Sequence, residues 1–134
     1  MGTKKIMIVE DETISLALMR KLLEAEGYSV VSTQDGSAAV SLAMRERPDL
    51  IMLDLGLPGT DPFSPNFDGF IFMDWLHRMD SDFKAPVIVV TAQTGTQVQQ
   101  RALQAGAFAV FEKPANRDQI LETIRIALGE DSIV

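Results

Sequence analysis

Cysteine is absent from the 134-residue chain, which excludes disulfides, thiolate metal sites and cysteine nucleophiles. Histidine, tryptophan and tyrosine each occur once. Long apolar runs are missing too. The opening MGTKKIMIVEDE has two lysines but an apolar run too short for a signal peptide, and nothing approaches the length needed to cross a bilayer. Basic charge is scarce: 12 Lys and Arg against 19 Asp and Glu leave a net charge of −7. Proteins that bind nucleic acid neutralise phosphates with clustered Lys and Arg, and no such stripe is present. These absences predict a soluble, cytoplasmic chain with no membrane association and no direct nucleic-acid contact.

What is present suffices for one core. Hydrophobic residues make up 46% of the sequence, too many for a charged disordered coil, and the length suits a single domain spanning 1–134. Short apolar runs alternate with segments of helical period. Lys5 to Val9 reads as a strand. Ile14, Ala17, Leu18, Leu22 and Ala25 then recur at helical spacing, and Gly27 stops that helix. Tyr28 to Thr33 is a second strand. The helix after Asp35-Gly36-Ser37 turns Ala39, Val40, Ala43 and Met44 inward and is ended by Pro48. Leu50 to Leu53 and Val87 to Val90 are apolar at every position, as strands covered on both faces must be. Helices are expected over about Phe70 to Met79, near Gln97 to Ala105, and after Asn116, whose spacing from Gln119 resembles a capping box. A fifth strand is expected over Ala107 to Phe111. Strict alternation of this kind predicts an α/β fold: a flavodoxin-like, doubly wound (βα)5 unit, its parallel sheet in the order 2-1-3-4-5 with helices on both faces.

In such sheets ligands bind beyond the carboxyl ends of the strands, where strand order reverses. The first strand runs into Glu10 and Asp11, the third into Asp54, the fourth into Thr91 and the fifth into Lys113. Far apart in sequence, these residues are expected to meet at one sheet edge. Three carboxylates held together repel and require a cation. Mg²⁺ (or Mn²⁺) suits them, being hard, oxygen-seeking and usually bound by one or two carboxylates with waters and phosphate oxygens. A carboxylate can act as a nucleophile and form an aspartyl phosphate, while an ammonium and a hydroxyl hold the phosphoryl oxygens. The set therefore fits metal-dependent phosphoryl transfer onto Asp54.

Four segments, Ile8-Val9-Glu10-Asp11-Glu12, Asp49 to Gly59 (DLIMLDLGLPG), Val90-Thr91-Ala92 and Glu112-Lys113-Pro114, resemble the motifs of response-regulator receiver domains, the chemotaxis-regulator-like modules of two-component signalling. They stand in family order and span essentially the whole chain. The resemblance implies that Asp54 accepts phosphate from a histidine kinase or a histidine phosphotransfer protein. It implies that Glu10, Asp11, Asp54 and the Gly56 backbone carbonyl hold the metal, and that Thr91 and Lys113 contact the phosphoryl group. It further implies a protein-interaction face around the fourth helix, fifth strand and fifth helix. That face would serve a downstream target or effector domain, or a phosphorylation-favoured homodimer. Gly56 and Gln93 occupy positions where the family tunes the approach of hydrolytic water.

Departures from the pattern bear on the switch. Asp68-Gly69 follows Pro58 by ten residues where the family has three, implying an insertion at 60–67 next to the pocket, whose Phe63 and Phe67 would either cover the site or contact a partner. Val110 stands where an aromatic often reorients with the threonine, leaving backbone motion or Phe111 to carry the signal, with Phe108 nearby. Ala115 replaces a common Phe. His77, the one histidine, has no kinase-like surroundings and reads as structural. Three other functions compete. An aspartate-nucleophile phosphatase needs a second aspartate where Gly56 stands. An FMN carrier needs a phosphate-cradling loop where Glu10-Asp11-Glu12 would repel it. A pseudo-receiver would bind partners without phosphate, against which the intact set of polar residues argues.

Overall fold

The computed structural model describes residues 3–55, 69–79, 83–92 and 95–130. Five strands lie within them: β1 (Lys5–Val9), β2 (Ser29–Thr33), β3 (Leu50–Leu53), β4 (Val87–Thr91) and β5 (Ala109–Glu112). Five α-helices connect or follow them: α1 (Thr13–Ala25), α2 (Ala39–Glu46), α3 (Gly69–Met79), α4 (Thr96–Gln104) and α5 (Arg117–Ala127). The strands form one parallel sheet in the order β2-β1-β3-β4-β5, as expected. No helix among the described residues is long and apolar enough to cross a membrane.

Because side chains alternate across a strand, the apolar strands feed two cores. Met7, Val9, Ile51, Leu53, Val87 and Val89 pack with Ala39 and Ala43 of α2, Phe72, Met73 and Leu76 of α3, and Ala102 of α4. Ile6, Ile8, Leu50, Met52, Ile88 and Val90 pack on the other face with Leu23 of α1 and Ile120, Leu121 and Ile124 of α5. Each such fully buried aliphatic side chain contributes roughly 1.5–3 kcal/mol relative to exposure. In α3, Phe72 and Met73 are buried, whereas Trp75 is half exposed.

Helix α1 departs from expectation. The spacing had placed Ile14 and Leu18 on its inward stripe, but they are 68% and 65% exposed. The face that docks keeps Leu22 of the expected stripe but adds Leu16, Met19 and Leu23. Two apolar stripes of helical period overlap in this helix, and tertiary packing takes the one led by Leu23. Gly27, with φ of 94°, allows the left-handed turn that delivers the chain to β2. Strand β5 begins two residues later than expected. The Ala107 amide still bonds the Ala102 carbonyl at 3.0 Å, closing the end of α4, and Phe108 reaches Val87 at 2.7 Å before the ladder starts. At α5 the Asn116 side chain accepts from the Gln119 amide at 3.0 Å, so the forward half of the capping box forms.

Candidate functional site

Each strand end delivers a polar residue to the same edge of the sheet. Glu10 directly follows β1, and its amide continues the ladder to the Thr33 carbonyl at 3.1 Å. Asp54 directly follows β3, held by its own amide to the Val9 carbonyl at 3.1 Å. Lys113 follows β5, its amide bonded to the Thr91 carbonyl at 2.9 Å. Among the described residues the buried polar or charged ones are Glu10, Asp54 and Thr91. Burying carboxylates is costly unless they are paired, so their placement here demands a partner.

Lys113 provides it. Its Nζ donates to Glu10 Oε1 at 2.7 Å and to Asp54 Oδ2 at 2.9 Å. Burial and the proximity of Asp54 outweigh the attraction of Lys113 and push the Glu10 carboxyl up to about 7. For Lys113, burial favours the neutral amine, but the hydrogen bonds to Glu10 and Asp54 outweigh it and its pKa is raised. The ammonium is therefore firmly charged while Glu10 is poised near neutrality. A carboxylate oxygen from each of Glu10, Asp11 and Asp54 lies within 4.8 Å of the others, with Asp11 the most open of the three.

A small cavity of about 40 Å³ sits beside the carboxylates, walled by Ser15 and Met19 of α1 and by Val90 and Lys113. Those four residues also line a larger cleft of about 630 Å³ between α1 and the segment Pro114–Arg117. Ser15 and Met19 were not singled out from the sequence. Their signal was their position one turn or two beyond Glu10-Asp11-Glu12, where α1 must overhang the sheet edge.

The family model for the response regulator receiver domain matches residues 6–125. The chain belongs to the receiver family. It is 37% identical over 127 residues to the polar-differentiation response regulator DivK of Brucella anthropi, covering 95% of this chain and 98% of the relative. The receiver fold also matches a CheY-like response regulator receiver domain protein from Methanospirillum hungatei at 28% identity, with a TM-score of 0.82 and 96% of each chain covered. A receiver domain of a sensor histidine kinase from Pseudomonas aeruginosa, 26% identical, has a TM-score of 0.80 over 96% of this chain and 99% of its own. That structure has a magnesium ion coordinated in the active-site cleft.

The residues of this receiver fit such a metal. Glu10, Asp11 and Asp54 offer three clustered oxygen donors, the chemistry a hard divalent ion selects, and Lys113 alone brings too little charge to balance them. Thr91 stands at the same edge, 1% exposed. Gly56, Gln93 and the 60–67 insertion lie outside the described residues. Val110 packs against the core shared with α2, α3 and α4, the face that strand alternation also gives Thr91. Phe111 packs in the opposite layer, with α1 and α5. A one-residue offset along a strand reverses the face, so Phe111 does not share the layer of Val110 and Thr91. Phe108 precedes β5 and is 46% exposed. His77 is exposed in the last turn of α3, beside Gly106, away from the carboxylates.

Proposed function

We propose that this chain is a single receiver domain that accepts a phosphoryl group on Asp54 and acts as a signalling module rather than as an enzyme. The observation that carries the reading is the buried knot of Glu10, Asp54 and Lys113, a charged cluster whose desolvation has no structural return in an otherwise apolar sheet. An Asp54 oxygen attacks phosphorus, the P–N bond of a phosphohistidine donor breaks, and its electron pair returns to the imidazole. Lys113 holds the carboxylate in place and then offsets charge on the phosphoryl oxygens. Glu10, Asp11 and Asp54 would hold Mg²⁺ (or Mn²⁺), with the Gly56 carbonyl as a further donor; the bound ion supplies divalent charge that counters the phosphoryl group. Thr91 contacts a phosphoryl oxygen and relays its presence, and Gly56 and Gln93 set the lifetime.

The donor is a histidine kinase or histidine phosphotransfer protein. The cleft between α1 and Pro114–Arg117 opens onto the carboxylates through Ser15, Met19 and Lys113, and the exposed Ile14 and Leu18 of α1 give a donor an apolar foothold. Output passes to a downstream protein, an effector domain or a second copy in the cytoplasm, and the 60–67 insertion modulates either rate or partner choice. The test is incubation with a small phosphodonor and Mg²⁺, read by intact mass. Wild type gains one phosphoryl adduct and Asp54→Asn does not. An adduct of equal yield on Asp54→Asn sinks the assignment. A wild type that never gains it moves the chain to the pseudo-receiver reading.

A further inference from the structure

Helix α4 is weakly held. Its sequence, TQVQQRALQ, has one fully buried residue, Ala102, with Val98 partly buried beside it. A short element with so few apolar contacts lies at the low end of local stability, where a single added interaction changes its populations. One such interaction is present: the Arg101 guanidinium carbon lies 4.1 Å from the centroid of the Phe70 ring. That contact ties α4 to the first turn of α3.

Phe70 in turn follows a glycine packed on the residue beside Asp54. Its neighbour Gly69 approaches Leu55 so closely that a Cβ there would fall 2.5 Å from Leu55 Cδ2 and 3.5 Å from its Cα. Leu55 is the residue directly after Asp54 and is itself buried. A continuous series of bonded and packed neighbours therefore runs from Asp54 through Leu55, Gly69 and Phe70 to Arg101. On β5, Val110 puts no aromatic ring on this face, and Phe111 lies on the other.

We infer that the Arg101–Phe70 contact is a clasp that restrains α4 while Asp54 is unmodified and loosens when Asp54 is loaded. This rests on Asp54 being the acceptor. Displacement of Leu55 by a group on the adjacent carboxylate shifts Gly69 and Phe70, and the cation loses its place over the ring. Cation–π contact is specific to the ring face and to a charged partner, so it can be removed without emptying the core.

Amide hydrogen exchange over 96–104 tests the clasp in the full chain, with Mg²⁺ alone and with Mg²⁺ plus beryllofluoride as the phosphoryl mimic. Wild-type α4 should exchange faster on loading by about twofold to fivefold, the equivalent of about 0.5–1 kcal/mol. Arg101→Gln and Phe70→Leu should exchange at the loaded rate in both conditions, and combining them should add nothing. Arg101→Lys and Phe70→Tyr, which keep charge and ring, should recover part of the difference; slow exchange in β1 and β3 verifies folding. Variants that retain the full wild-type difference overturn the clasp, as does a wild type whose α4 ignores a loaded site. Loading is read separately by fluorine NMR of the bound mimic. Its absence from wild type removes the acceptor reading and the clasp with it.

Discussion

Glu10 cannot serve as a metal ligand while it carries a proton, and its carboxyl is pushed up from 4.5 to about 7 by burial and by Asp54. Metal binding must then expel that proton, and apparent Mg²⁺ affinity must rise with pH. With a midpoint near 7, about one-tenth of Glu10 is ionised at pH 6 and about nine-tenths at pH 8. Apparent Kd should therefore be about tenfold weaker at pH 6 than at pH 8, close to 1.4 kcal/mol. The sign for the metal-free protein is opposite to that of an ordinary paired carboxylate. The folded chain holds this proton more tightly than the unfolded chain does, so the Glu10 contribution to stability declines as pH climbs from about 4.5 to about 7. Calorimetric titration with MgCl₂ in two buffers of different ionisation enthalpy reads both quantities. Roughly one proton should leave per Mg²⁺ at pH 6 and almost none at pH 8. Glu10→Gln should bind more weakly and lose the pH dependence. A wild-type Kd that stays within about twofold between pH 6 and 8, with no proton release at pH 6, refutes the reasoning.

Lys113→Met leaves Glu10 and Asp54 without their cation. Metal-free stability at pH 8 should fall by about 1–3 kcal/mol and recover largely in millimolar Mg²⁺; urea melts that match wild type in EDTA would count against the buried ion pairs. Gly69→Ala forces Leu55 to repack, costing about 1–3 kcal/mol, and Leu55→Ala should relieve part of that cost through non-additivity above about 0.5 kcal/mol in a double-mutant cycle. Leu18→Asp should leave labelling by a small phosphodonor unchanged yet slow transfer from a protein donor about tenfold, the scale of an apolar interface anchor. Equal slowing with both donors would place the effect in the site rather than in docking.

Architecture was legible because the apolar runs Leu50 to Leu53 and Val87 to Val90 and the helical spacing between strands leave little freedom in how the layers stack. The site residues were legible for the same reason: Glu10 and Asp54 abruptly end apolar strands, Lys113 directly follows β5, and parallel strands end on one edge. Three features were not. In α1 the exposed Ile14 and Leu18 have the same spacing as a core stripe, and only the sheet beneath decides which stripe is buried. Around Val110, the sequence shows which residues neighbour the expected aromatic position but not that β5 starts at Ala109 and sends Phe111 to the other side. The clasp of Arg101 on Phe70 joins residues whose separation in sequence carries no periodic signal at all.

The division of the sheet into two cores has an evolutionary consequence. Met19, Val90 and Phe111 belong to the α1–α5 layer, where a donor would dock, while Phe72, Val98 and Val110 belong to the layer beneath α3 and α4. Substitutions in either layer can be accommodated without repacking the other, because the sheet separates the two sets of side chains. A backbone one strand thick thus lets the two layers drift independently, with the carboxylate edge as their shared constraint.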